Sequence, residues 1–166
     1  FIGAQTGYYN NGAHNLMIGA LAGYNNRGDY NVLIGYFAGD DNDGSTNNSH
    51  KNVAIGYTAL TNVETGANQN TAVGYSTLFT NTANGNTAVG FSVLRTNTSG
   101  SGNSGFGSNA LRLNSTGSGN TALGNAALAP HACKTTIDTY LKPLLIGADP
   151  MDTEYLWESM YRRTLP

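Results

Sequence analysis

Short apolar clusters alternate along the chain with runs of Asn, Gly, Ser and Thr, and the clusters recur. An Asn-x-x-x-Gly unit starts at Asn15, Asn31, Asn52, Asn70, Asn86, Asn103 and Asn120, with successive starts 16, 21, 18, 16, 17 and 17 residues apart. So regular a spacing identifies an internal repeat, in which one small unit is stacked on its neighbours. Phe1-Ile2-Gly3 fits the end of an eighth copy whose Asn would precede the sequence, which reads as a truncation inside a repeat. Units of this length are too short for helical hairpins, and their β-compatible segments between turn-forming clusters predict two short strands and two turns per coil. Equivalent strands pair in parallel about 4.8 Å apart, so about eight coils extend on the order of 35 Å. The expected fold is all-β, a parallel β-solenoid (β-roll) of about eight short coils over residues 1–129, with a small α-helical C-terminal tail over 130–166.

Position within the unit carries further expectations. The residue before the Gly is always apolar: Ile2, Ile18, Ile34, Ile55, Val73, Val89, Phe106 and Leu123. This column is expected to face the core. Four residues after the Gly, later units carry Leu60, Leu78, Leu94, Leu111 and Leu128, whereas the first three carry Gly7, Gly23 and Gly39. That change predicts a core that thins toward the N-terminal end. Directly after the Gly, the middle units carry Tyr36, Tyr57, Tyr75 and Phe91, whose rings stack if the coils do. The residue two after each Asn is Met17, Leu33, Ala54, Ala72, Ala88, Gly105 or Ala122, which alternation places opposite the expected core column. A flat Ala and Gly stripe there suits close approach of a neighbouring subunit, so a homotrimer is expected.

The recurring Gly supplies positive φ where the strand bends, and the recurring Asn tolerates the left-handed region while its amide bonds along a ladder. Length varies in residues 40–51, 61–69 and 80–85, which marks that side as exposed loops.

Composition narrows the function. Only 11% of the 166 residues are charged and 22 are Gly, unlike an ordinary cytosolic enzyme. A net charge of −2 and a pI near 5.8 offer no basic field for nucleic acid, and no apolar run approaches the roughly 20 residues of a membrane span. The single Cys133 has no partner for a disulfide or a CxxC metal site.

Units such as Asn70-Thr71-Ala72-Val73-Gly74-Tyr75-Ser76-Thr77-Leu78 and Asn52-Val53-Ala54-Ile55-Gly56-Tyr57-Thr58-Ala59-Leu60 resemble the repeats of trimeric autotransporter adhesin heads and related phage and viral tail-fibre proteins. The resemblance implies a trimeric parallel β-roll displayed outside a cell or virion, as an adhesin-like structural or attachment module without catalysis. A cell-surface receptor or glycan is the implied contact. The repeats here are longer than the adhesin motif and carry Thr or Ser where that motif often has a larger apolar residue.

After Ala129-Pro130 the repeat stops. Residues 131–141 suit a helix, Pro143 interrupts it and Gly147 permits a turn; Asp149 then caps a second helix with Pro150 at its first position and Arg162 and Arg163 near its end. The stretch from Tyr140 through Asp149-Pro150 and Glu154-Tyr155-Leu156-Trp157 to Arg163 resembles part of the N-terminal capping domain of enolase-superfamily enzymes, the mandelate racemase and sugar-acid dehydratase branch. In that family the catalytic bases and magnesium carboxylates belong to a (β/α)₈ barrel of about 200 residues or more, which this sequence does not contain. The tail therefore reads as a join of unrelated coding sequence or as a helical cap on the solenoid, and the alternative to the fibre is a sugar-acid dehydratase fragment without its barrel.

Individual motifs are weak. Arg27-Gly28-Asp29 spells an integrin-binding tripeptide that a Gly-rich chain also produces by coincidence. Asp40, Asp41, Asn42, Asp43 and Gly44 suggest a Ca²⁺ loop, but Gly39 occupies the first ligand position and His50 the closing one, which favours a solvated acidic loop. Asn47, Asn97 and Asn114 begin glycosylation sequons that composition alone generates. Cys133 near His131 lacks an orienting acid, and His14 and His50 lack metal-ligand spacing. No catalytic, cofactor-binding or metal residue is assigned, and the chain is expected not to be an enzyme.

Overall fold

The structure is a computed structural model that describes residues 1–40, 49–62 and 66–125. Seven parallel strands follow one another in a single sheet in chain order: β1 Leu16–Ile18, β2 Val32–Ile34, β3 Val53–Ile55, β4 Thr71–Val73, β5 Thr87–Phe91, β6 Ser104–Ser108 and β7 Thr121–Leu123. Pairing is in register with the repeat: Val53 faces Thr71, Ala54 faces Ala72 and Ile55 faces Val73. Ile2 bridges Ile18, so the incomplete first unit takes the eighth position of the stack. The described residues thus form an all-β solenoid. The expected helical tail lies outside the described residues.

Each coil holds one strand rather than the expected two. Opposite the strand, residues two and four after the Gly take positive φ, as in Thr58 (φ 49°) and Leu60 (φ 52°). Their N–H groups bond in opposite axial directions: Thr58 N–H donates to the Tyr36 carbonyl of the coil before, and Leu60 N–H to the Thr77 carbonyl of the coil after. The ladder is continuous without extended backbone, which satisfies the buried peptide groups by another route.

Inside and outside are exchanged relative to expectation. Met17, Leu33, Ala54, Ala72 and Ala88 are fully or almost fully buried and form the core with Leu60, Leu78 and Leu94. Gly105 continues that column, and Ala122 packs against the core from a partly buried position. The stripe expected to meet another subunit is therefore the interior of the coil. Ile18, Ile34, Ile55, Val73 and Val89 point the other way and are half-buried, while Phe106 and Leu123 are exposed. Both alternating faces of the strand are apolar, so period-two patterning could not orient it, and side-chain size misled: so thin a coil admits only Ala beside Leu.

Nor does the core thin toward the N-terminus. In the second coil Leu33 fills the space that Leu60 fills in the third, and a Cβ at Gly39 would collide with the Leu33 side chain. Met17 stands in the same relation to Gly23. Large and small residues have traded columns, and the interior remains filled.

Two Asn columns secure the turns. The backbone N–H of Asn86 donates to Asn70 Oδ1 at 2.9 Å and Asn70 Nδ2 donates to the Ala83 carbonyl at 3.0 Å; the same bonding links Asn31, Asn52 and Asn70. The second column stacks Asn114 on Asn97 on Asn81 through side-chain amides, with Asn97 Nδ2 to Asn81 Oδ1 at 2.7 Å. Asn81, Asn97 and Ala83 are buried, so the segment 80–85 is a turn packed inward at Asn81 and Ala83, with Asn84 and Gly85 exposed as expected. The segments 41–48 and 63–65 lie outside the described residues, but the flanking Asp40, Ser49, Thr61 and Ala67 are all buried.

The repeat's glycine is required twice over. Gly74 has φ 129°, and a Cβ there would run into the Gly90 carbonyl of the next coil.

Candidate functional site

Three surfaces of the coil carry chemistry. On the sheet's outer face, residues flanking each buried strand centre form an apolar band: Val32 and Ile34, Val53 and Ile55, then Val73 and Val89, bounded by Thr71 and Thr87. Beside it runs the aromatic column. Tyr36, Tyr57, Tyr75 and Phe91 stack with centroids 5.2–5.3 Å apart and planes within 16° of parallel, as their spacing predicts. The inner rings Tyr57 and Tyr75 are stacked on both faces and the end rings Tyr36 and Phe91 on one, and all four remain partly exposed.

A groove of about 260 Å³ adjoins the first two rings and is lined by Tyr36, Phe37, Tyr57, Thr58, Asn62 and Phe79, with Thr61 at its base. Phe37 stands edge-to-face against Tyr36 at 4.7 Å, and Arg95 lies over Phe79, 5.2 Å from its centroid.

The third surface is the outer edge of the turn preceding each strand. A polar ladder runs along it: Ala13 N–H donates to Asp29 Oδ1, Asp29 N–H to His50 Nδ1, His50 N–H to Asn68 Oδ1 and Asn68 N–H to Asn84 Oδ1, all within 2.9 Å. Because His50 Nδ1 accepts, the neutral ring carries its hydrogen on Nε2. Asp29 Oδ2 lies 3.6 Å from the same nitrogen. A groove of about 470 Å³, lined by Asp29, Tyr30, His50, Lys51 and the Asn68 and Asn84 rungs, opens here. His14 stacks on Tyr30 at 4.8 Å, which gives it a packing role. Near the N-terminus Tyr8 stacks on Tyr24, whose phenol is pushed above its ordinary value by desolvation first and then by Tyr9.

The sequence motifs resolve differently. Gly28 of Arg27-Gly28-Asp29 is buried and Asp29 is a rung of the polar ladder, so the tripeptide is built into a turn and does not protrude. Asp40 is buried and its carboxylate accepts the Asn25 N–H at 3.1 Å; Asp41, Asn42, Asp43 and Gly44 lie outside the described residues. Asn97 and Asn114 both commit their amide nitrogens to the buried column, which leaves neither free for a glycan in the folded chain. Asn47, His131 and Cys133 fall outside the described residues. Among the described residues no three His, Cys, Asp or Glu side chains gather as a metal site, and no helix is long and apolar enough to cross a membrane. The uncharged groove was missed in the sequence. Its residues come from three coils, and only the Tyr36–Tyr57 spacing pointed toward it.

In comparisons with known proteins, no family model, curated protein or solved structure matches the chain.

Proposed function

We propose that this chain is a structural and attachment segment of a fibre on a cell or virion surface, assembled as a homotrimer through the outer face of its sheet. The observation that carries the reading is the apolar band of half-buried Val and Ile side chains along that face. A continuous apolar strip on a thin rod is a contact surface, since leaving it in water forgoes about 25 cal/mol per Å² of buried apolar area. Pleated faces of successive coils align along one line, so copies laid side by side cover each other over the full length of the sheet. Three copies enclose a shared apolar interior, consistent with the resemblance of the repeats to trimeric adhesin heads. The reading assigns the coils mechanical and presenting roles and no catalytic step.

Sedimentation equilibrium tests it. The expected result is a species three times the 17.4 kDa chain mass, and Ile55→Asp, at the centre of the band, should give a folded monomer. A wild-type chain that remains a well-folded monomer, or a trimer indifferent to Ile55→Asp, would remove the assembly.

A further inference from the structure

The groove beside the aromatic column differs from the groove beside the polar ladder in having, among the described residues, no acid, Lys, Arg or His in its lining. Phe79 offers it a ring face. Arg95 covers one side of that ring from the following coil, and the equivalent position in the preceding coil is held by the much smaller Thr61, so the other side turns toward the groove. Thr61 is itself fixed, its hydroxyl donating to the Phe37 carbonyl at 2.7 Å.

Polar groups complete the lining. Asn62 is held by its backbone N–H, which donates to the Asp40 carbonyl at 3.2 Å, while its side-chain amide has no hydrogen-bond partner among the described residues. Thr58 Oγ1 shares one hydrogen bond with Ser76 Oγ at 2.9 Å and keeps acceptor capacity. Tyr57 is stacked on both faces, by Tyr36 and Tyr75, which leaves its ring edge to the groove, and Tyr36 is stacked on one face by Tyr57 and meets Phe37 edge-to-face.

We propose that this groove binds a terminal uncharged pyranose ring of a glycan. A pyranose has one face of C–H bonds and a rim of hydroxyls. The first matches the open face of Phe79, and the second matches the unpaired Asn62 amide and the Thr58 hydroxyl. An anionic or cationic ligand would be desolvated against a lining whose described residues offer no countercharge. A purely apolar ligand would bury the Asn62 amide without a partner, a cost of about 1–3 kcal/mol. At about 260 Å³ the groove lies just below the usual size of small-molecule sites, which restricts it to a single terminal ring. The proposal rests on the attachment reading and names the ligand class that reading leaves open.

The test is protein-observed NMR on the full chain, titrated with millimolar methyl glycosides of galactose, glucose, mannose and N-acetylglucosamine, and separately with sialic acid and indole. At least one neutral glycoside should shift resonances of Phe37, Phe79 and Asn62. Phe79→Ala and Asn62→Ala should each weaken that binding by about tenfold, and Phe91→Ala, in the same column but outside the groove, should leave it unchanged. Should Phe79→Ala unfold, Asn62→Ala carries the test alone, because its amide supports no other residue. The proposal fails if no neutral glycoside shifts these residues, if sialic acid or indole binds there instead, or if Phe91→Ala costs as much as Asn62→Ala. Sedimentation of the same samples separates the two readings: a trimer without sugar binding removes only the groove, and a monomer that binds removes only the assembly.

Discussion

The first two complete coils and the four that follow fill one interior with opposite choices of residue. In the early coils the strand centre is large, Met17 or Leu33, and the residue four after the Gly is Gly23 or Gly39. In the later coils the strand centre is Ala54, Ala72, Ala88 or Gly105, and the opposite position is Leu60, Leu78, Leu94 or Leu111. Backbone conformation does not change with the exchange: Gly39 has φ 63° and Leu78 has φ 49°. What the interior conserves is volume, not the identity of any column. The later solution places Leu in the left-handed region, which costs roughly 1–2 kcal/mol, and offsets it by burying a side chain worth about 1.5–3 kcal/mol.

The largest expected effect falls on a position that both classes share. Gly19→Val in an early coil and Gly74→Val in a later one should be equally damaging, because each combines positive φ with a collision against the next coil's glycine carbonyl. Each should cost more than about 3 kcal/mol and abolish cooperative thermal melting. An early coil that tolerated its Val would break the claim that the two classes share one backbone.

The Asn ladder should be next. Asn70→Ala strands the Asn86 N–H inside the turn and removes one of two side-chain bonds to the Ala83 carbonyl, which Asn81 Nδ2 still holds, at about 1–3 kcal/mol. Asn31→Ala likewise strands the Asn52 N–H and removes one side-chain bond to the Ser49 carbonyl. Urea midpoints of the two variants should fall together, and a clear split between them would show that the classes differ in their turns.

The smallest effect is specific to one later coil and has the opposite sign. Thr77 is fully buried and its hydroxyl has no partner, while the same position one coil on holds Val93. Thr77→Val keeps the shape and removes the orphaned hydroxyl, and should stabilise the chain by about 1 kcal/mol. A lowered melting temperature would mean that the hydroxyl is satisfied after all.

Repeat period, parallel stacking and the ring column were legible in the sequence because each depends on spacing alone. The orientation of the strand was not. Alternation distinguishes two faces only when one is polar, and Val53-Ala54-Ile55 is apolar throughout. The signal that would have oriented it was present in the covariation of size between Leu33 with Gly39 and Ala54 with Leu60, since only residues sharing an interior need to trade volume. Reading Gly23 and Gly39 without their partners Met17 and Leu33 produced the mistaken thinning core. Arg27-Gly28-Asp29 was legible only as a weak motif, and the inter-coil bonds of Asp29 place it within a turn. The uncharged groove was illegible because Phe37, Asn62 and Phe79 converge only once three coils are stacked.

A double-mutant cycle on Leu33 and Gly39, followed by chemical denaturation, tests the volume exchange most directly. Leu33→Ala leaves a cavity and should cost about 2–5 kcal/mol. Gly39→Leu forces a side chain into the space of Leu33 and should cost about 1–3 kcal/mol or more. The double variant reproduces the Ala54 and Leu60 pairing of the next coil and should recover part of the two losses, an interaction energy of about 2–3 kcal/mol. Losses that simply add would contradict the account, because Leu33 and position 39 would then not occupy a common interior.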